Sequence, residues 1–376
     1  MKILVLCYEY PPLGGGGGRV AKTVAEQLAA RGHEVRVQTA GMRHLPARET
    51  IGGVDVFRTF AFRAREDRCS VPEMGLFCVT SLRPTLRHCR EWKPDVIHAH
   101  FAMPTALLAW AARRRTGVPY VITAHLGDVP GGVPEQTDRL FKLVAPVARR
   151  IWKEAARVTA VSSFVQELAE KAYGRKVERI LNGIDLADVP APPATVPPTR
   201  HLVFVGRFNP QKCPLFLIDA LAGVQDLDWK LTMIGDGLLM AATRRQADFY
   251  KMTQRINFTG WLKGPDVQSL LGGADVLMMP SNSEGLPVAA IEALKHGLAV
   301  VASDIPGVRD VVIDGVNGLL IPPGDLDDWI ARLRELLPDD ARIAAMKRAS
   351  WEKARDFDLA RIATQYEQVL LAAVRR

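Results

Sequence analysis

The chain repeats one pattern of apolar and polar positions: a short apolar run, a turn rich in glycine or proline, and a stretch with helical spacing. Lys2–Leu6 is an apolar run, Val20–Ala30 carries apolar residues on one helical face, and Glu34–Thr39 is apolar again. Short apolar runs are typical of buried strands, and apolar residues three or four apart are typical of amphipathic helices. The order strand, helix, strand predicts a doubly wound α/β domain with a parallel sheet.

Four later runs in the first half are also predicted as strands: residues 95–100, 119–125, 157–161 and 178–185. A helix is expected near 140–156 between two of them. Residues 41–93 are less regular, and we assign no elements to them. The first half therefore has the strand content of one complete domain.

Residues 187–200 contain five prolines, which predicts a stiff linker between two domains. The apolar pattern then restarts, with strands expected at 201–205, 229–234, 255–258, 276–279 and 299–302. The last stretch, 341–376, is expected to be helical. We predict domains at 1–186 and 201–355, joined by the linker 187–200, with a final helix at 356–376.

Polar and glycine residues follow each strand of the second half. They include Arg207, Lys212, Gly235, Trp261, Glu284 and Ser303. Because ligands of parallel sheets bind at the carboxyl ends of the strands, these residues are expected along one edge.

The stretch from Ser281 to Glu292 is the most informative of these. Its apolar strand stops at Pro280, Gly285 allows a tight turn, and Pro287 suits the first turn of a helix. This places Glu284 in the loop and Glu292 about one and a half turns into the helix. A helix N-terminus favours a phosphate, and carboxylates accept hydrogen bonds from sugar hydroxyls.

The composition fits a globular protein of more than one domain. The chain has 376 residues, 48% of them hydrophobic and 24% charged, and no apolar stretch suited to a membrane span. The first residues are interpreted as a strand and not as a signal peptide. Five cysteines without metal-like spacing favour a reducing compartment, so a cytoplasmic location is expected.

The positive charge is concentrated in the first half. Residues 1–185 contain 28 Lys and Arg against 18 Asp and Glu, whereas the whole chain has a net charge of +8. Arginines crowd residues 58–68 and 83–90. An anionic acceptor or an anionic membrane surface is one explanation, and a solvated surface is the other.

One histidine motif and one acidic motif have the residue types of a metal site. His98 and His100 end a strand with no third ligand nearby, and Asp226-Leu-Asp228 precedes a strand, at the opposite end of the sheet from the other polar residues. We therefore expect no metal. His125, at the end of another strand, is a candidate for catalysis or substrate contact.

Together, the second half offers two cations and two carboxylates. Arg207 and Lys212 can neutralise a diphosphate, while Glu284 and Glu292 can hold hydroxyls. This combination fits a sugar attached to a nucleoside diphosphate. The chemistry would be departure of the diphosphate, whose developing charge is stabilised electrostatically.

The chain resembles a retaining glycosyltransferase of the GT-B fold, family 4 (glycosyl transferases group 1), over nearly its whole length. The matching motifs occur in the family's order: Pro11-Pro12 with Gly15-Gly16, Gly32-His33-Glu34-Val35, Thr123-Ala124-His125, Asn182-Gly183-Ile184-Asp185, Gly206-Arg207 with Lys212, Gly235-Asp236-Gly237, and Glu284 to Glu292. The resemblance implies two Rossmann-like domains, the first for the acceptor and the second for the donor, with a C-terminal helix returning to the first.

The resemblance also implies a role for each site residue. Arg207, Lys212 and Gly16 would hold the donor diphosphate, together with backbone at Gly285, Leu286 and Pro287. Glu292 would bind the ribose, and Trp261, Leu262 and Gly235 would meet the base. Glu284 would bind the transferred sugar, and His125 would line the sugar site. Glu284 and His125 are therefore the catalytic candidates.

The expected partners are a nucleotide-sugar donor, such as a UDP-sugar, and an acceptor that is a glycan, lipid-linked or small. A peripheral contact with an anionic membrane is also considered; no nucleic acid and no cofactor are expected. The expected pathway is cell-surface glycan, glycolipid or small-glycoside synthesis. Two alternatives stay open: a nucleotide-sugar epimerase of the same fold, and an NAD-dependent oxidoreductase, which would explain the first glycine loop.

Overall fold

The computed structural model describes residues 1–66, 69–132, 134–187, 191–192 and 197–375, without the side chains of 134–143. The chain divides into two compact units. The first comprises Met1–Gly183 and Leu359–Arg376, and the second comprises Ile184–Asp358. Half of the predicted linker 187–200 lies outside the described residues.

The first unit is built on an eight-stranded sheet. Its strands are β1 (Lys2–Leu6), β2 (Glu34–Gly41), β3 (Arg48–Ile51), β4 (Val54–Phe60), β5 (Val96–His100), β6 (Tyr120–Ala124), β7 (Arg157–Ala160) and β8 (Glu178–Arg179). The spatial order is β3-β4-β2-β1-β5-β6-β7-β8, and all pairs are parallel except β3 with β4. Strands β5 and β6 are buried along their whole length, as central strands of a covered parallel sheet are.

Six helices belong to this unit: α1 (Gly16–Ala30), α2 (Val71–Arg87), α3 (Thr105–Thr116), α4 (Pro134–Glu154), α5 (Ser163–Tyr173) and, from the far end of the chain, a helix over Leu359–Val374. A π-helical turn, His88–Trp92, extends α2. Helix α1 begins within the glycine run, four residues before the predicted start at Val20. The prediction of a loop through Arg19 was therefore wrong.

The early start of α1 follows from close packing against the glycines. A Cβ added at Gly17 would lie 2.5 Å from the Phe101 ring, and one at Gly18 would lie 2.4 Å from the carbonyl oxygen of Glu9. Residues without a side chain therefore let the first helical turn pack against its neighbours. In the structure, the close approach that these two glycines allow is to neighbouring residues of the protein itself.

Residues 41–93 contain three regular elements that the sequence analysis did not assign: β3, β4 and α2. Two arginines of the predicted basic cluster are also buried there. Arg58 is 7% exposed and donates to the carbonyl oxygen of Pro11 at 3.1 Å, and Arg63 is 5% exposed and donates to that of Tyr8 at 3.2 Å. These two side chains fix the loop after β4, so the expectation that they form a charged surface was wrong. Arg68 lies outside the described residues.

The second unit has a six-stranded parallel sheet in the order β11-β10-β9-β12-β13-β14. Its strands are β9 (Arg200–Val205), β10 (Trp229–Ile234), β11 (Ile256–Gly260), β12 (Val276–Met279), β13 (Ala299–Ser303) and β14 (Gly318–Ile321). Its helices are α6 (Pro214–Ala222), α7 (Met240–Phe249), α8 (Gly264–Gly272), α9 (Val288–Lys295), α10 (Leu326–Leu336) and α11 (Asp340–Lys353). Fully buried Trp229 and Trp329 belong to the core that the sheet and helices share.

The final helix, α12 (Leu359–Val374), packs on the first unit. The apolar face expected at Ile362, Tyr366, Val369 and Leu370 is buried. Arg31 and His33 both bind the Glu367 carboxylate, at 3.0 and 2.7 Å. The stretch 341–376, expected to be helical, contains two helices, because a 3-10 turn at Ala354–Phe357 separates α11 from α12.

Among the described residues, none of the helices combines the length and hydropathy that crossing a membrane requires.

Candidate functional site

The predicted polar residues of the second unit follow four strands of one sheet. Arg207 comes after β9, Gly235 after β10, Trp261 after β11, and Glu284 after β12. Because all these strands run parallel, their carboxyl ends share one edge. The loops after the adjacent strands β9 and β12 are in direct contact, which brings two of the predicted residues together.

Lys212 and Glu284 form an ion pair. The Nζ of Lys212 lies 2.5 Å from Oε1 of Glu284, and their side chains are 18% and 9% exposed. Asn209 positions the lysine, because its side-chain oxygen accepts from the backbone N–H of Lys212 at 3.1 Å. A nearly buried carboxylate is thus held beside a cation at the edge of the sheet.

Two further hydrogen bonds fasten the same two loops. The Gln211 side chain donates to the backbone carbonyl oxygen of Ser283 at 2.8 Å. The backbone carbonyl oxygen of Gln211 accepts from the backbone N–H of Asn282 at 2.9 Å. The sequence analysis did not select Gln211, because an amide side chain in a loop carries no pattern. Its role is to hold the Lys212 loop and the Glu284 loop in one arrangement.

Glycines allow the loops of this edge to approach closely. A Cβ at Gly235 would lie 1.9 Å from the carbonyl oxygen of Gly206, and one at Gly307 would lie 1.8 Å from that of Glu284. Gly235 also has a φ of +130°, which side chains disfavour. Gly307 was missed by the sequence analysis, although its spacing after β13 is the signal that could have found it.

The loop after Glu284 leads directly into α9. Gly285 is buried, Leu286 is 6% exposed, and Pro287 is the residue preceding the helix at Val288. Glu292 is the fifth helical residue and is half-buried, a little over one turn from the start. The expected placement of one and a half turns was slightly too deep, because Pro287 caps the helix and does not belong to it.

The other residues that were predicted to contact the donor are more accessible to solvent. Arg207 is exposed and Leu262 is half-buried, while Trp261 is 54% exposed after the edge strand β11. An exposed tryptophan at a sheet edge offers a flat apolar surface to a ring.

In the first unit, His125 directly follows β6 and is 7% exposed. Its ring centroid lies 4.4 Å from that of Phe101. A Cβ at Gly17 would lie 3.4 Å from His125 Nδ1, so the start of α1 reaches the histidine. Gly16 is the first residue of that helix and is exposed. The structure thus places the glycine segment and His125 side by side, as predicted.

Burial controls the protonation of this region. It lowers the pKa of His125 to about 4, so the imidazole is neutral at pH 7. Burial raises the pKa of Asp128 to about 8, although the backbone N–H groups of Ala102 and His125 oppose the rise. The Asp128 Oδ1 accepts from the backbone N–H of His125 at 2.7 Å. A neutral imidazole is suited to hydrogen bonding with a hydroxyl.

The motifs considered for metals have other partners. His98 and His100 are fully buried, and His98 Nε2 lies 2.7 Å from the Thr123 hydroxyl. Asp226 accepts two hydrogen bonds from Arg334, at 2.8 and 3.0 Å, and Asp228 accepts one from Thr199 at 2.6 Å. Within the described ranges, no three His, Cys, Asp or Glu side chains cluster as metal ligands would.

Comparison with known proteins identifies the family. Residues 14–188 match Glycosyltransferase Family 4, and residues 199–339 match Glycosyl transferases group 1. The glycogen synthase of Mycobacterium tuberculosis is 30% identical over 100% of this chain and 95% of its own length. The chain is a family 4 glycosyltransferase.

Solved structures of glycosyltransferases share its fold. Sucrose-phosphate synthase from Thermosynechococcus elongatus superposes with a TM-score of 0.82 at 21% identity, covering 98% of this chain and 97% of that one. HepE from Anabaena, solved with UDP-glucose, gives a TM-score of 0.76 at 21% identity, covering 99% of this chain and 100% of that one. The expected GT-B fold and the family resemblance are both confirmed. Family membership also favours a glycosyltransferase over the oxidoreductase and epimerase alternatives.

Proposed function

We propose that this glycosyltransferase moves a hexose from a nucleoside-diphosphate sugar to an acceptor hydroxyl with retention of configuration and without a metal. The observation that carries the proposal is the Lys212–Glu284 pair beside the start of α9. This single pair of loops then holds one cation for a phosphate, one carboxylate for hydroxyls and the backbone N–H groups at the start of a helix. The UDP-glucose complex of HepE supports a UDP-sugar as donor.

In this proposal, the second unit binds the donor. Arg207 and Lys212 bind the diphosphate, and the backbone at Gly285, Leu286 and Pro287 contacts the sugar and phosphate. Glu292 binds the ribose. Trp261, Leu262 and Gly235 bind the base. Glu284 binds the transferred sugar.

The first unit is proposed to bind the acceptor. Gly16 contributes a backbone N–H to the diphosphate, and His125 acts as a neutral hydrogen-bonding group toward the transferred sugar. Its low pKa favours this over a role as a fixed positive charge. The acceptor is proposed to be a glycan, a lipid-linked sugar or a small molecule in cell-surface or glycoside synthesis, with the enzyme in the cytoplasm.

Metal independence is proposed because cations of the protein can take the place of a metal. Lys212 and Arg207 can neutralise the departing diphosphate. The acidic motif Asp226-Leu-Asp228 instead pairs with Arg334 and Thr199, at the end of β10 opposite to Gly235.

A panel of UDP-, GDP- and ADP-sugars tests the donor by thermal shift. A donor at 100 times its dissociation constant should add about 2.7 kcal/mol to the free energy of unfolding. With the donor found, proton NMR of the product gives its anomeric configuration, and inversion would refute retention. Conversion of the donor to another nucleotide sugar without acceptor would establish the epimerase instead.

A further inference from the structure

Large apolar side chains are exposed along one short stretch of the first unit. Among its described residues, four of the seven exposed large apolar side chains lie between residues 60 and 79. They are Phe60 (36% exposed), Phe62 (62%), Val71 (53%) and Val79 (73%). Single exposed apolar side chains are normal on a protein surface, whereas a cluster of them indicates a contact surface.

Helix α2 presents two of these residues, Val71 and Val79, together with arginines in one exposed row. The exposed positions Val71, Gly75, Val79, Arg83 and Arg87 are spaced by four, so the row turns by roughly 40° around the helix axis at each step and each member adjoins the next. The first half of this row is apolar and the second half is basic. Arg90 and Lys93, also exposed, continue the positive charge, and Glu91 offsets part of it through Arg87, at 2.9 Å.

The loop after β4 is fixed beside the start of this helix. The backbone N–H of Ala64 donates to the Glu73 carboxylate in the first turn of α2, at 2.7 Å. Phe60 and Phe62 pack with ring centroids 4.3 Å apart, and Phe62 has a φ of +51°, which is uncommon for a residue with a side chain. A strained backbone thus holds an aromatic ring in solvent.

We propose that Phe60, Phe62, Val71, Val79, Arg83 and Arg87 form a docking face for the anionic surface of a lipid bilayer. A soluble acidic partner would use the arginines and would leave the apolar half of the face in water. A bilayer interface accepts both halves, because apolar side chains enter the acyl boundary and arginines contact anionic headgroups. The inference deepens the proposed function by naming the partner of the acceptor-binding unit.

Co-sedimentation of the full chain with vesicles tests the docking face. The vesicles are phosphatidylcholine alone, or an equal mixture with phosphatidylglycerol, at low and high salt. The apolar variant is Phe62→Asn with Val79→Thr, chosen because Asn tolerates a positive φ and Thr is the shape of Val. The basic variant is Arg83→Gln with Arg87→Gln. Matched controls in the second unit are Phe249→Ser, at a residue 79% exposed, and Arg245→Gln, at an exposed residue.

The wild type should sediment with the anionic vesicles and should leave them as salt rises. The apolar variant should lose affinity at least about tenfold, and the basic variant about fivefold for each arginine. Both controls should bind as the wild type does.

Two results would overturn the docking face. One is equal, negligible sedimentation of the wild type with both vesicle types. The other is loss in the basic variant with none in the apolar variant, which indicates attraction by charge alone and no insertion of the apolar side chains. UDP binding by calorimetry, measured on every variant, shows that each is folded. A wild type that docks but binds no nucleoside diphosphate would refute the proposed donor and not the docking face.

Discussion

The ion pair between Lys212 and Glu284 gives a sharp test of the donor site, because its two members are assigned opposite effects on nucleotide binding. With an effective dielectric constant of about 20, two unit charges 2.5 Å apart attract by about 7 kcal/mol before the cost of desolvation. The net value of such a charged hydrogen bond is about 1.5–3 kcal/mol. The ion pair is therefore strong enough that each residue affects how readily the other can bind the donor.

Lys212→Ala removes a proposed phosphate-binding cation, so it should weaken UDP binding by roughly 10- to 150-fold. Glu284→Gln keeps the size of the side chain and an oxygen that accepts from Lys212, but it removes the negative charge. UDP should then bind at least as tightly as to the wild type, while sugar transfer falls. Glu292→Ala should weaken UDP binding by about 1.5–3 kcal/mol, because its proposed contact is to the ribose.

Calorimetry with UDP on the three variants distinguishes these outcomes, and thermal unfolding shows that each is folded. The reasoning fails if Glu284→Gln loses as much UDP affinity as Lys212→Ala. If Glu284→Gln loses affinity while Glu292→Ala keeps it, the two carboxylates have the reverse of their proposed roles.

Five further outcomes are expected. Arg207→Ala should lower turnover by roughly 10²–10³, whereas His125→Ala should lower turnover and keep UDP affinity; wild-type rates in either would remove that residue from the site. Transfer should survive EDTA, and full loss restored by manganese would refute metal independence. Gly307→Ala should destabilise the protein by about 1–3 kcal/mol and impair transfer, because its Cβ would lie 1.8 Å from the Glu284 carbonyl oxygen; Gly264→Ala, with no atom within 4 Å of its Cβ, is the control. Burial lowers the pKa of His88 to about 4, so unfolding takes up a proton there between pH 6.5 and 4 and stability falls as pH falls; His88→Phe should reduce that slope by about 1.4 kcal/mol per pH unit in urea unfolding at pH 5–6, and an unchanged slope would contradict the assignment.

Strands of the two sheets were largely predictable, because buried parallel strands are short apolar runs bounded by turns. Trp229–Ile234 and Val276–Met279 were predicted with their observed bounds. The hairpin β3–β4 and helix α2 were not, since the strand hides Arg58 in its interior and the helix exposes Val71 and Val79. Where an arginine is buried and valines are exposed, apolar and polar positions no longer show which side of an element faces the core.

The candidate site was predictable in its members and not in its contacts. Residues after strands identify one edge of a sheet, which was sufficient to select Lys212 and Glu284. That the two bind each other depends on β9 and β12 being neighbours, an order that the sequence does not state. Gln211 acts through hydrogen bonds that no sequence pattern indicates, whereas the position of Gly307 after β13 is a sequence signal for a close approach of loops.

The packing of α12 on the first unit has a consequence for how the protein is made. Residues 359–374 are synthesised after the whole second unit, yet they supply Tyr366 to the interior and Glu367 to the pair with Arg31 and His33. During synthesis, the apolar surface of the first unit that α12 covers therefore stays exposed until this last helix has emerged. The second unit is continuous in the chain and can complete its core earlier, so the part of the protein that begins first is finished last.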